Sequence, residues 1–153
     1  MKIYIAADHR GFELKQSLIA FLTQKNIEVV DCGNATLDPD DDFPVYVHAL
    51  YEKIKSDPAS KGIVACGSGV GVSIAANRYP EIRCGLCFSE KQVQSARAED
   101  DINVLAIPTE YISEELAQTL CTLFLETPTS NAPRYLRRIN EINSYADSTN
   151  ASR

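Results

Sequence analysis

The sequence predicts an α/β fold: a Rossmann-like three-layer sandwich with a five-stranded parallel sheet in the order 2-1-3-4-5. Three observations lead there. Short β-rich runs alternate with helical stretches along the chain. The helical stretches carry apolar residues at a 3.6-residue period. The connections are short, so each strand–helix–strand unit is right-handed and parallel, with helices on both sheet faces.

The elements follow in order. Residues 2–7 (KIYIAA) form strand 1, and Leu14, Leu18, Phe21 and Leu22 share one face of the next helix. Residues 27–31 (IEVVD) are strand 2. The acidic run 38–42 (DPDDD) reads as a solvated loop, because it lacks the ligand spacing and glycine of a calcium loop. Val47, Leu50 and Ile54 mark a helix over 43–55. Strand 3 is 62–65 (GIVA), followed by a glycine loop at 66–71 and a helix from Val72. Residues 82–88 (IRCGLCF) and 103–107 (NVLAI) are strands 4 and 5. Ile112, Leu116, Leu120 and Leu123 form another apolar stripe. A last helix runs from Pro133, a residue suited to a first turn, to Ser144. The domain therefore spans 1–143, with 144–153 a disordered tail.

Composition excludes several classes. Of 153 residues, 44% are hydrophobic and 24% charged, too apolar for a disordered chain. A net charge of −6 argues against nucleic acid and against anionic membrane surfaces as partners. No apolar run approaches the ~20 residues of a membrane span. Residues 1–7 lack the apolar core of a signal peptide. Five cysteines, an odd number, point to reduced thiols and a cytoplasmic protein.

A parallel sheet binds ligands outside the carboxyl ends of its strands, at the switch point between strands 1 and 3. Two segments fall there: Asp8-His9-Arg10-Gly11 and Cys66-Gly67-Ser68-Gly69-Val70-Gly71. The glycine loop leads into a helix, so its backbone N–H groups suit an anion, although a plain tight turn is the alternative. Its spacing is not that of a dinucleotide fingerprint. Cys66 stands before a helix start, a setting in which a thiol serves as a nucleophile or carbon-acid base. A buried structural thiol is the other reading. Asp8 caps the next helix or binds substrate. His9 suits anion binding or proton transfer, whereas His48 lies within a helix. Cys84 and Cys87 sit at odd spacing in a strand and point to opposite faces, and Cys32 and Cys121 lack ligand-like neighbours, so no metal site is expected. Arg134 and Arg138, four apart, share a helical face that suits a phosphate clamp or simple solvation.

The segments IAADHRGFELK, CGSGVGVSIAANR and ARAEDDINVLAI, in that order, resemble the ribose-5-phosphate isomerase B / galactose-6-phosphate isomerase family over residues 1 to about 142. The resemblance implies a cofactor-free aldose–ketose isomerase acting on a sugar phosphate, assembled as dimers or tetramers of dimers. It implies that Cys66 is the base moving a proton between C1 and C2. A sibling subgroup uses a Glu where this chain has Val72. The loop Gly67, Ser68, Gly69, Val70 and Gly71 matches the anion hole, with Ser68 among the catalytic positions. Asp8 and His9 match substrate contacts, and Arg134 and Arg138 match phosphate contacts.

Three positions depart from that pattern. Glu99 and Asp100 stand where the family has His-Asn, the His assisting ring opening; Glu110 stands where it has a phosphate-binding Arg; and Phe43 replaces a Tyr. Glu99 then takes the ring-opening role and Asp100 contacts substrate. The connection carrying them lies at the amino ends of the strands, about 15 Å from the carboxyl edge for five residues. Glu99 is accordingly expected in a neighbour's site, as part of a homodimer or dimer of dimers with shared active sites. The alternative is a surface carboxylate. Other substrates, a hexose 6-phosphate or an unusual aldose, and a non-catalytic sugar-phosphate-binding role remain open on these residues.

Overall fold

The computed structural model describes residues 2–150. Five strands and six helices run in the order β1 (Lys2–Ala7), α1 (Phe12–Gln24), β2 (Glu28–Asp31), α2 (Phe43–Ser56), β3 (Lys61–Cys66), α3 (Val70–Ala76), β4 (Cys84–Leu86), α4 (Glu90–Asp100), β5 (Val104–Pro108), α5 (Glu114–Glu126) and α6 (Pro133–Asn150). Every strand pairing is parallel.

Alternate residues of the strands supply two cores, as the twofold strand period requires. Ile3, Ile5, Ile63, Ala65, Leu105 and Ile107 pack with Leu18 and Leu22 of α1, Val93 of α4, and Leu120 and Phe124 of α5. On the opposite face Tyr4, Ala6, Val64, Cys66, Val104 and Ala106 meet Val47, Leu50 and Ile54 of α2 and Val72 and Ala76 of α3. Three layers result. The α/β class and the sandwich are as expected.

The strand order is 2-1-3-5-4, not 2-1-3-4-5. Burial explains the exchange. All five residues of β5 (VLAIP) are buried, which only an interior strand allows. β4 has three residues, each half-buried, and takes the edge. It is shorter than expected because at Arg83 the N–H turns to Asn103 Oδ1 at 2.8 Å, and only its carbonyl still accepts from Asn103 and Val104 N–H, at 3.0 and 3.3 Å. The exchange sets the site, since it brings the carboxyl end of β5 beside that of β3. There Thr109 N–H donates to the Cys66 carbonyl and Glu110 N–H to the Gly67 carbonyl, each at 3.0 Å.

Strands β2, β3 and β5 and helix α2 differ from expectation by one residue at one or both ends, and two helix boundaries move further. Helix α3 starts at Val70 rather than Val72. Helix α6 continues to Asn150 rather than ending near Ser144, and the last three residues of the expected tail, 151–153, lie outside the described residues. Among the described residues no helix is long and apolar enough to cross a membrane.

Candidate active site

Cys66 is the last residue of β3 and is 5% exposed. The Gly69 N–H donates to its Sγ at 3.2 Å. That contact requires a sharp turn between strand and helix, and Gly69 makes it with φ at +72°, a conformation open to glycine. A Cβ there would lie 2.5 Å from Leu86 Cδ1 and 3.1 Å from the Pro108 nitrogen. The amide thus faces the atom that carries the charge of a thiolate. Ser68 bends the same turn, its Oγ accepting from Val70 N–H at 3.3 Å.

The other four cysteines are free thiols, and among the described residues no N–H donates to their sulfurs. Burial pushes Cys32 and Cys87 each up to about 11 and Cys121 to about 12. Cys84 is raised further, by burial and then by Cys87. These four are packing residues.

Asp8 closes the turn after β1. Its Oδ1 accepts from Arg10 N–H at 2.9 Å and Gly11 N–H at 3.0 Å, so the capping alternative describes this oxygen. His9 is held by Asp41: its backbone N–H donates to Asp41 Oδ1 at 3.0 Å, and its Nδ1 meets the same oxygen at 2.8 Å. The hydrogen bond to Asp41 raises the His9 pKa above its ordinary 6.5, favouring the cation. With Nδ1 engaged, Nε2 is the ring nitrogen left for a ligand.

Asp41 corrects the expected solvated loop. Its side chain is 2% exposed, and Asn34 Nδ2–H donates to its Oδ2 at 3.1 Å. Burial and the Asp41 carboxylate push the Tyr46 phenol up. Asp38, Asp40 and Asp42 are the exposed members of the run. Nothing local separates Asp41 from them, because its partners come from the turn after β1 and the turn after β2.

Lys15 supports this network from below. It is fully buried in α1, and its Nζ donates to Asp31 Oδ2 at 2.7 Å, Asp31 Oδ1 at 3.0 Å and the Asn34 carbonyl at 2.7 Å. Lys15, Leu18 and Leu22 lie on one helical face. A lysine on an apolar stripe is its signal in the sequence.

Across the loop Arg10 meets Glu110. Arg10 Nε–H donates to Glu110 Oε1 at 2.7 Å, and Nη2 pairs with the same oxygen. Phe43 leans on the far side of the loop, its Cζ 2.9 Å from where a Cβ of Gly71 would stand. Val72 is buried behind it at 1% exposure.

The chain gathers Asp8, His9, Cys66 and the loop 67–71 at one sheet edge. It does not bring Glu99, Asp100, Arg134 or Arg138 to them. Glu99 and Asp100 end α4, just before β5 begins, and α6 packs against α4. Asp100 borders a cleft of ≈ 510 Å³ with Asn77, Cys84, Gln92 and Ile142. Arg134 and Arg138 are exposed, and Arg134 Nη2–H donates to Tyr135 Oη at 2.6 Å. Among the described residues no hydrogen bond or ion pair joins these four to the loop.

Residues 3–142 match the family model described as Ribose/Galactose Isomerase. A ribose-5-phosphate isomerase B from Mycolicibacterium paratuberculosis is 40% identical over 145 residues, covering 95% of this chain and 91% of that protein. The crystal structure of a Thermotoga maritima ribose 5-phosphate isomerase superposes with a TM-score of 0.88 at 40% identity, over 94% of this chain and 97% of that one. A Mycoplasma genitalium ribose-5-phosphate isomerase B, solved with bound ribulose 5-phosphate, gives 0.90 at 33% identity, over 95% and 96%. With nearly the whole chain matched in sequence and in backbone, this protein belongs to the ribose/galactose isomerase family.

Proposed function

We propose that the protein is a cofactor-free aldose–ketose isomerase that converts ribose 5-phosphate to ribulose 5-phosphate. The observation that carries this reading is the Cys66 sulfur at the end of β3, 3.2 Å from the Gly69 amide and followed by a glycine loop at a helix start. Cys66 as thiolate takes the C2 proton of the open-chain aldose. The electron pair moves into an enediolate, whose oxygen charge is met by amides of Gly67, Ser68, Gly69, Val70 and Gly71. The same thiol returns the proton to C1 while the C2 hydroxyl proton is lost and O1 gains one, which leaves the carbonyl at C2 and consumes no external oxidant or reductant. Val72, buried and apolar, leaves Cys66 as the base on this loop.

His9, fixed by Asp41, and the free edge of Asp8 hold substrate hydroxyl and phosphate groups. Glu99 opens the sugar ring, Asp100 contacts the substrate, and Arg134 and Arg138 clamp the phosphate. All four come from a second copy of the chain in a homodimer or dimer of dimers, a reading supported by their place on α4 and α6, where no hydrogen bond or ion pair among the described residues joins them to the loop. Five free thiols favour a reducing, cytoplasmic setting.

Incubating the purified protein with ribose 5-phosphate and following ribulose 5-phosphate tests the reading. Conversion without added cofactor is expected. Binding of the sugar phosphate without conversion contradicts it and favours a non-catalytic sugar-phosphate-binding role.

A further inference from the structure

We infer that Arg10 is the cation this chain itself supplies to the anionic end of the substrate, positioned by Glu110. The inference rests on the isomerase reading above and adds a binding residue to that site.

The Arg10 backbone is tied at both ends. Its N–H donates to Asp8 Oδ1 at 2.9 Å, and its carbonyl accepts from Thr109 Oγ1 at 3.0 Å. The guanidinium lies over Gly67 so closely that a Cβ there would overlap Cζ, Nε and Nη2. A planar cation therefore covers the first residue after Cys66, in the space a side chain at that position would take. Glu110, whose own N–H is fixed on the Gly67 carbonyl at 3.0 Å, receives the Nε–H at 2.7 Å and pairs with Nη2, both through Oε1. Nη1 has no hydrogen-bond partner among the described residues.

Stability does not explain this pair. The two side chains are 48% and 50% exposed, a setting in which an ion pair contributes little to folding. Orientation does explain it. Glu110 engages the Nε/Nη2 edge that lies against Gly67 and so holds the guanidinium at the glycine loop with Nη1 left to donate, next in sequence to His9, the other group whose cationic form is favoured. A fork of N–H donors in that place suits a phosphate dianion. The Glu110 charge offsets part of the attraction, so the expected effect is nearer tenfold than the hundredfold of an unopposed charged hydrogen bond.

The test uses calorimetric titration with inorganic phosphate and steady-state kinetics with ribose 5-phosphate, on the full chain and its variants. Arg10→Ala weakens phosphate binding about tenfold, and its KM rises more than its kcat falls. Arg10→Gln, which keeps the stem packed on Gly67, shows the same loss. Adding Glu110→Arg to Arg10→Ala returns phosphate affinity to within about threefold of the parent, since a cation then reaches the loop from the β5 side. Phosphate affinity in Arg10→Ala and Arg10→Gln within about twofold of the parent overturns the assignment, and so does a parent that does not bind phosphate. A parent that binds phosphate through Arg10 but converts no ribose 5-phosphate leaves Arg10 as the anion contact and defeats the isomerase reading instead.

Discussion

The edge of the sheet around His9 and the surface of α4 and α6 handle their polar side chains in opposite ways. Around His9, Asp41 is buried to 2% exposure and bonded to His9 and Asn34, and below it a fully buried Lys15 holds Asp31 and the Asn34 carbonyl. On α6, Arg134 and Arg138 are exposed, and among the described residues Arg134 is engaged by its neighbour Tyr135 alone, through a hydrogen bond and ring stacking at 4.5 Å. The first region is organised by the chain alone. The second carries its charges on the surface, ready for a ligand or for another subunit. In the proposed enzyme the reaction needs both, and the contrast says which half each chain finishes by itself.

The largest effect is expected at the sulfur. Cys66→Ala should lose about 10²–10⁴-fold in kcat, the contribution of a positioned acid–base group, with an unchanged circular dichroism spectrum. Near-normal turnover would remove Cys66 from the mechanism. Next comes the self-organised region. Lys15→Met strips the counter-charge from Asp31 and should cost about 3 kcal/mol, at the low end for breaking a buried pair because Asp31 is partly solvated. Denaturant unfolding measures it, and a loss comparable to that of a surface lysine would show that the network bears no stability.

On the α6 side the prediction reverses. Arg134→Ala or Arg138→Ala should leave the melting temperature unchanged, raise KM about tenfold and weaken inhibition by inorganic phosphate. Equal phosphate inhibition in parent and variants returns them to solvated surface. The smallest effect concerns pH. Asp41 raises the folded-state pKa of His9 above its unfolded value of 6.5. The resulting stabilisation is fully present below about 6.5 and is lost as pH rises through the folded pKa. Asp41→Asn should lower the His9 midpoint in a proton-resonance titration and flatten stability over that window. An unshifted midpoint would mean Asp41 does not hold the imidazolium.

Much of this was legible in the sequence where the signal is local. Alternation of β-rich runs and amphipathic helices identified the sheet and its layers, and the turns after strands 1 and 3 marked its ligand-binding edge. What escaped depends on contacts far apart in the chain. The run NVLAI and the run IRCGLCF both read as strands, and only their burial decides which lies inside. Asp41 looks like its three acidic neighbours until His9 and Asn34, 32 and 7 residues away, close around it. Glu110 reads as a charge hostile to phosphate until β5 is moved beside β3 and Arg10 is found against it, 100 residues distant in sequence. The resemblance marks Glu99 and Arg134 as site residues, and the chain sets them on α4 and α6, away from Cys66.

The division of the site between two chains is best tested by subunit exchange. Cys66→Ala and Glu99→Ala are each purified, mixed under conditions that let subunits exchange, and assayed with ribose 5-phosphate. A mixed dimer contains one site with an intact Cys66 from one chain and an intact Glu99 from the other. With random pairing, activity should rise from the low level of either variant to about a quarter of the parent's, because half the dimers are mixed and each has one good site. Activity that stays at the level of the separate variants after exchange, or a Glu99→Ala protein as active as the parent, would contradict the shared site.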